Sequence, residues 1–136
     1  MRGRHGALGE FDIQRIRLGQ CGPCGEPFIE RVAEFAKGVF DHFGSRMACI
    51  NVLNNLSVDC DCDSSPETPT MADIGIMASL DPVALDQASL DQILYSEDPG
   101  KQAVIDRIDS RSGAHLPEYA EQLGLGSRSY ELAVLG

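Results

Sequence analysis

The chain has 136 residues, a formal charge of -10 and a pI near 4.5, one domain's worth of polypeptide with enough mass for a core that needs no disulfides. That charge argues against a nucleic-acid backbone or an anionic bilayer as the main partner, since both repel it, and favours a cation or a basic protein surface. No apolar run approaches the roughly 20 residues that span a bilayer, and the start MRGRHGALGEFDI lacks the apolar core of a secretory leader, so the expected location is the cytoplasm.

Residues 1–26 read as a poorly defined N-terminal segment carrying Cys21-Gly22-Pro23-Cys24, with one short strand at Phe11–Leu18. A single α/β domain is expected over 27–136. Pro27 opens a helix, and Ile29, Val32, Ala33, Ala36, Val39, Phe40 and Phe43 recur at spacings of three and four up to Gly44. Such a stripe packs on a sheet or on another helix. His42, near the helix end, suits a capping role. The strand expected over Met47–Val58 places Ile50, Val52, Leu56 and Val58 on a core face, with Asn51, Asn55, Ser57 and Asp59 on the other beside Leu53. A row of asparagines needs hydrogen-bond partners, which points to a pocket wall or a clamp on a neighbouring loop, or to a solvated outer face.

The chain then turns to Ser, Pro, Thr and Glu over 63–70 and reads as a loop. Ile74–Ala78 suits a buried, parallel strand. Asp81-Pro82 starts a helix that runs to about Tyr95, with Asp81 as its cap. On that helix Asp86 falls among Val83, Leu90, Ile93 and Leu94, where a carboxylate costs several kcal/mol unless it is paired, hydrogen-bonded or metal-bound. Asp91 falls on the flank, where solvent is enough. Short helices follow at Ala103–Ile108 and Leu116–Leu123, the latter ended by Gly124, and Tyr130–Val134 reads as a final strand. The expected fold is thus α/β, with helices packed on a small sheet of about three to four strands.

Chemistry concentrates at Asp59-Cys60-Asp61-Cys62-Asp63. In an extended chain the three aspartates share one face and the two cysteines the other. An EF-hand calcium loop is disfavoured, because its sixth position is Ser64 instead of Gly and its twelfth is Thr70 instead of Glu. Thiolate ligation fits better. The two-residue gap between Cys21 and Cys24 lets both sulfurs reach one ion, and Cys60 with Cys62 completes a four-sulfur shell for zinc or an iron–sulfur cluster. Against this stands the plainer reading of Cys60 and Cys62 as separate packed or exposed thiols. Cys21-Gly22-Pro23-Cys24 before a helix also has the spacing of a dithiol oxidoreductase, although no strong apolar strand precedes it.

The passages Asn51–Cys62, Asp73–Ala88 and Leu123–Leu132 resemble the C-terminal part of the domain of unknown function 362 family, over about Phe28 to Val134. That resemblance implies an iron–sulfur-associated, redox-linked setting, since many members carry a ferredoxin-like insert with two clusters upstream. Here the C-x-x-C-x-x-C-x-x-x-C-P run is absent, so those clusters do not carry over. What transfers is the Asp59–Cys62 motif and the helix start from Asp81 to Asp86. The expectation is a metal- or iron–sulfur-associated domain with Cys60 and Cys62 as ligands, Asp59, Asp61 and Asp86 nearby, and Cys21 and Cys24 as further ligands. Its alternatives are a non-catalytic interaction or scaffold domain, with an exposed apolar edge covered in an oligomer or by a redox partner, and a dithiol oxidoreductase using Cys21 and Cys24.

Overall fold

The computed structural model describes residues 25–58 and 68–135. The proposed strand at Phe11–Leu18, the Cys21–Cys24 pair and the Asp59–Asp63 run lie outside them. The first helix, α1 (Glu26–Phe43), begins after Gly25, whose φ of 103° places it in the region that favours glycine, and Pro27 supplies the preset φ of a first turn. Gly44, at φ 56°, ends it, followed by one 3-10 turn at Gly44–Arg46. Arg46, not His42, binds the last carbonyls: its Nε donates to Phe43 O at 3.1 Å and its Nη2 to His42 O at 3.4 Å.

Strands β1 (Cys49–Leu53) and β2 (Gly75–Ser79) pair antiparallel, with Asn51 opposite Met77 and Leu53 opposite Gly75. The sheet therefore has two strands among the described residues, fewer than the three to four expected, and β2 is neither parallel nor buried on both faces. The strand also ends at Leu53 instead of Val58, where Asn55, at φ 52°, breaks the extended run. The Asp73 carboxylate fixes that break, accepting Asn55 N at 2.8 Å and Asn54 Nδ2 at 2.9 Å. Ile74 N to Leu53 O at 2.9 Å and Thr70 N to Leu56 O at 3.0 Å close the base of the β1–β2 connection.

Helix α2 (Pro82–Leu94) crosses one face of this hairpin, and α3 (Lys101–Ser110) and α4 (His115–Gln122) complete the helical layer. The buried face of α2 is Val83, Ala84, Leu85, Ala88, Ser89 and Ile93. Two small cores form at its ends. Ala33, Val83 and Ala120 meet at one, and Met71, Ile93 and Val104 at the other. Helix α1 lies against α4, not against the strands, with His115 Nε2 3.3 Å from Glu30 Oε1 and Tyr119 OH donating to Glu34 at 3.3 Å. Helix α4 ends on Gly124 at φ 75°, and Leu125 N reaches back to Ala120 O at 3.0 Å, the six-to-one bond of a left-handed helix stop.

Asp81 joins three of these parts. Its Oδ1 accepts Val83 N at 2.9 Å and Ala84 N at 3.0 Å, its Oδ2 accepts Ser127 N at 2.9 Å, and its own N–H donates to Ser79 Oγ at 3.0 Å. The returning chain comes this close because residue 126 is glycine; a Cβ there would sit 2.0 Å from Asp81 Oδ1. Beyond Ser127, the residues Tyr130–Leu135 run on without strand pairing, so the expected final strand is not formed.

Replacing Asp81 with Ala removes the helix cap and the anchor of Ser127 together. We expect a loss of about 1–2 kcal/mol for the cap alone and more with the anchor, read as a lower urea midpoint, and Gly126→Ala is expected to move the midpoint the same way.

Candidate functional site

The seam between β1 and α2 is polar where the sequence suggests a core. Because Cys49, Asn51 and Leu53 share the face turned to α2, Ile50 and Val52 point away from it, opposite to the expected phase, and are 65% and 60% exposed. Leu56 still reaches the core around Met71, since the left-handed Asn55 between it and β1 shifts the phase of the alternation. Asn51 is the centre of the seam: its Nδ2 donates to Asp86 Oδ1 at 3.0 Å and to Ser89 Oγ at 3.0 Å. The buried Ser89 hydroxyl in turn donates to Leu85 O at 2.8 Å, so the polar groups brought under the sheet are satisfied.

Asp86 is thus hydrogen-bonded, and it is exposed rather than lodged in an apolar stripe. The flanking Asp91 is the half-buried one, accepting Gln87 Nε2 at 2.9 Å and the Tyr130 hydroxyl at 2.7 Å. That bond, with burial and the Asp91 charge behind it, pushes the Tyr130 phenol above its ordinary pKa. Cys49 lies at the same seam. Partial burial pushes its thiol pKa up, and the charges of Asp86 and Asp81 push it further. Its neighbourhood therefore favours the thiol over the thiolate, the reverse of an activated cysteine.

Of the residues proposed as ligands, Asp86 alone falls within the described part. Asp59, Asp61, Cys60, Cys62, Cys21 and Cys24 lie outside it, and among the described residues no group of three or more His, Cys, Asp and Glu side chains gathers to hold a metal. The contacts to Asp73 come from the Asn54 side chain, which is not part of the expected row, and from the backbone N–H of Asn55, so they are not the clamp of row side chains that the asparagines suggest. The roles of Ser89 and Cys49 had no sequence signal beyond their places on the inner face.

A second feature is a slot of about 650 Å³ between β2 and the C-terminal segment. Its walls are the backbone and side chains of Ile74–Ser79 and of Tyr130–Leu135, and Ala84, Leu85, Ala88 and Gln92 of α2 also line it. Glu131 is the one charged residue lining it. Two apolar surfaces are also open. One is the outer face of the hairpin, where Val52 pairs with the 73% exposed Ile76; the other is a row on α1 at Phe28, Val32, Phe35, Val39 and Phe43, with Phe35 80% exposed.

These features define an α/β domain in which a helix-backed hairpin leaves its outer face and one edge slot uncovered. The chain belongs to a family described as a domain of unknown function, DUF362, whose profile matches residues 4–91. The match starts well before Phe28 and stops short of Val134, so it takes in Cys21 and Cys24 along with Asp59–Cys62 and most of α2. No curated protein and no solved structure matches the chain. Among the described residues no helix is long and apolar enough to cross a membrane.

Peptide mapping after alkylation checks the Cys49 environment. Its labelling is expected to be slower than that of a free thiol at mildly alkaline pH and to rise only at higher pH; Asp86→Asn, which removes one of the charges opposing the thiolate, should move that rise to lower pH.

Proposed function

We propose that this is an assembly domain, whose primary role is to complete its core against a second copy of the chain. The observation that carries this reading is the α1 row of Phe28, Val32, Phe35, Val39 and Phe43. Its spacings of four, three, four and four make one continuous stripe along the helix, separate from the half-buried Ile29, Ala36 and Phe40. An isolated apolar residue on a surface is ordinary, but a row with three phenylalanines marks an interface. The charges around it are of mixed sign, with Arg31 and Lys37 among Glu30, Glu34 and Asp41, and a mixed pattern can face its own copy across a two-fold axis without net repulsion. The outer face of the hairpin extends the apolar area that such an assembly could cover.

Phe35→Glu tests it. At 80% exposed, Phe35 contributes little to the fold of one chain, so the variant should fold with an unchanged urea midpoint at low concentration. Sedimentation is expected to show a dimer for the wild type and a monomer for the variant, with dissociation at least tenfold easier. A wild-type chain that sediments as a monomer at every concentration would overturn the reading.

A second reading is thiolate metal binding at Cys60 and Cys62, with Asp59 and Asp61 beside them, Cys21 and Cys24 as further ligands, and zinc or an iron–sulfur cluster as the bound group. It is supported by the alternating Asp59–Asp63 run and by the closed base of the connection that contains it, where Leu53, Leu56, Thr70 and Ile74 are bonded backbone to backbone. A closed base lowers the entropy lost when a ligand loop orders around an ion. In this reading the domain's work is redox-linked. Protein purified without oxygen should then carry iron or zinc that falls at least severalfold in Cys60→Ser/Cys62→Ser; metal-free protein whose melting temperature ignores added iron and zinc would end it.

A further inference from the structure

We infer that the slot between β2 and Tyr130–Leu135 is a strand-addition site, which takes one extended, lysine- or arginine-bearing segment of a partner protein. β2 pairs with β1 on one side only, and among the described residues no backbone bond joins it to Tyr130–Leu135. The N–H and C=O groups on its other side form a row that an incoming strand satisfies. Exposed edges are ordinarily blunted by a charge, a proline or a bulge. The edge Gly75-Ile76-Met77-Ala78-Ser79 carries no charge and no proline, and its residues match those of β1 one to one, without a bulge. Such an edge suits a strand that is covered when the protein works.

The slot is also shaped in advance. Its far wall is tied down by three anchors in succession: Ser127 N donates to Asp81 Oδ2 at 2.9 Å, Arg128 N to Glu121 Oε1 at 2.8 Å, and the Tyr130 hydroxyl to Asp91 Oδ2 at 2.7 Å. Ala84 and Ala88 of α2 line the space with short side chains, which leaves about 650 Å³ for incoming residues. A wall fixed beforehand spares the bound strand the entropy of ordering it.

Two features choose the occupant. With Tyr130–Leu135 standing opposite β2, the slot admits a single extended segment and excludes the edge of a second sheet; β2 of another copy, which carries β1 beside it and α2 across its face, does not fit. Charge sets the rest. Among the described residues Glu131 is the one charged side chain on the slot, and the chain carries -10 overall, so an acidic segment is repelled and a basic one drawn in. The same charge counts against exchange of Tyr130–Leu135 between copies, since that segment brings Glu131 and no lysine or arginine. Alternate side chains of the bound strand turn to Ala84 and Ala88, which asks for apolar residues there, with a basic residue within reach of Glu131.

Nuclear magnetic resonance of the full chain, titrated with a short synthetic peptide of alternating valine and lysine, tests the inference. In the free chain the β2 amides that point away from β1 are expected to exchange rapidly with solvent. Peptide at a concentration on the order of 1 mM should shift and protect them, and should shift Ala84 and Ala88 as well. The same peptide N-methylated on alternate residues, which removes its ladder donors, should bind about tenfold more weakly, and a valine–glutamate peptide should also bind more weakly than the lysine peptide. Glu131→Gln should weaken the lysine peptide about threefold and leave a valine–serine peptide unchanged. Outward β2 amides as protected in the free chain as those of α2 would mean that the chain or a second copy already fills the slot, and would overturn the inference. So would shifts confined to other surfaces, the absence of any shift, or equal binding of the lysine and glutamate peptides. Phe35→Glu, the variant expected to break the α1 assembly, separates the two readings: unchanged β2 shifts in it uphold the slot as an independent site whether or not the wild type dimerises, whereas β2 shifts lost with the dimer would assign the slot to the assembly and overturn the inference.

Discussion

One carboxylate holds the layers of this domain together. Asp81 closes the N-terminus of α2 with one oxygen and ties down Ser127 with the other, and its own amide is held by Ser79 at the end of β2. Four unsatisfied N–H groups at a helix start have to be answered somewhere, and here the answer also sets the angle between hairpin and helix and the place where the chain returns after α4. Every feature of functional interest is referred to that frame: the Asn51 seam lies under the hairpin along α2, and the slot lies between β2 and the residues that follow Ser127. Glu121 reinforces the return, accepting Arg128 N at 2.8 Å and Arg128 Nε at 3.0 Å, and those bonds hold its carboxyl below the usual range.

The helices were legible in the sequence because their signals are local. Pro27 and Gly44 bracket α1, Asp81-Pro82 opens α2, and Gly124 closes α4, each by a backbone rule that needs no knowledge of the rest of the chain. The strands were less legible, since period-two alternation gives two faces without saying which is inside. Ile50 and Val52 are the more apolar pair, yet they face outward because Asn51 has its partners in Asp86 and Ser89. The left-handed Asn55 then shifts the phase, which alternation carried through to Val58 does not anticipate. Asp86 and Asp91 exchanged places for a related reason. A stripe drawn through the largest apolar residues of α2 points at Leu90 and Leu94, whereas the buried face runs through Ala84, Ala88 and Ser89, small side chains that let the hairpin approach closely.

Of the proposed ligands, the structure locates Asp86 alone. What the geometry does supply is an imbalance. On the inner face of the hairpin Asn51 has its partners in Asp86 and Ser89, while the outer face and the α1 row are apolar and open. Burying such surface gains about 25 cal/mol per Å², so a domain of this shape is stabilised by whatever covers it.

The clamp at Asp73 carries a further consequence. With Leu56 and Thr70 bonded at 3.0 Å and Asp73 holding Asn54 and Asn55, the two ends of the β1–β2 connection are pinned independently of what lies between them. Closing a loop twice as long costs only about 0.6 kcal/mol more. The hairpin is therefore a socket with a fixed rim, into which evolution can fit inserts of different length and chemistry while the rest of the fold stays as it is. Diversity among proteins built on this hairpin is expected to gather there, and the helical layer behind it to vary least.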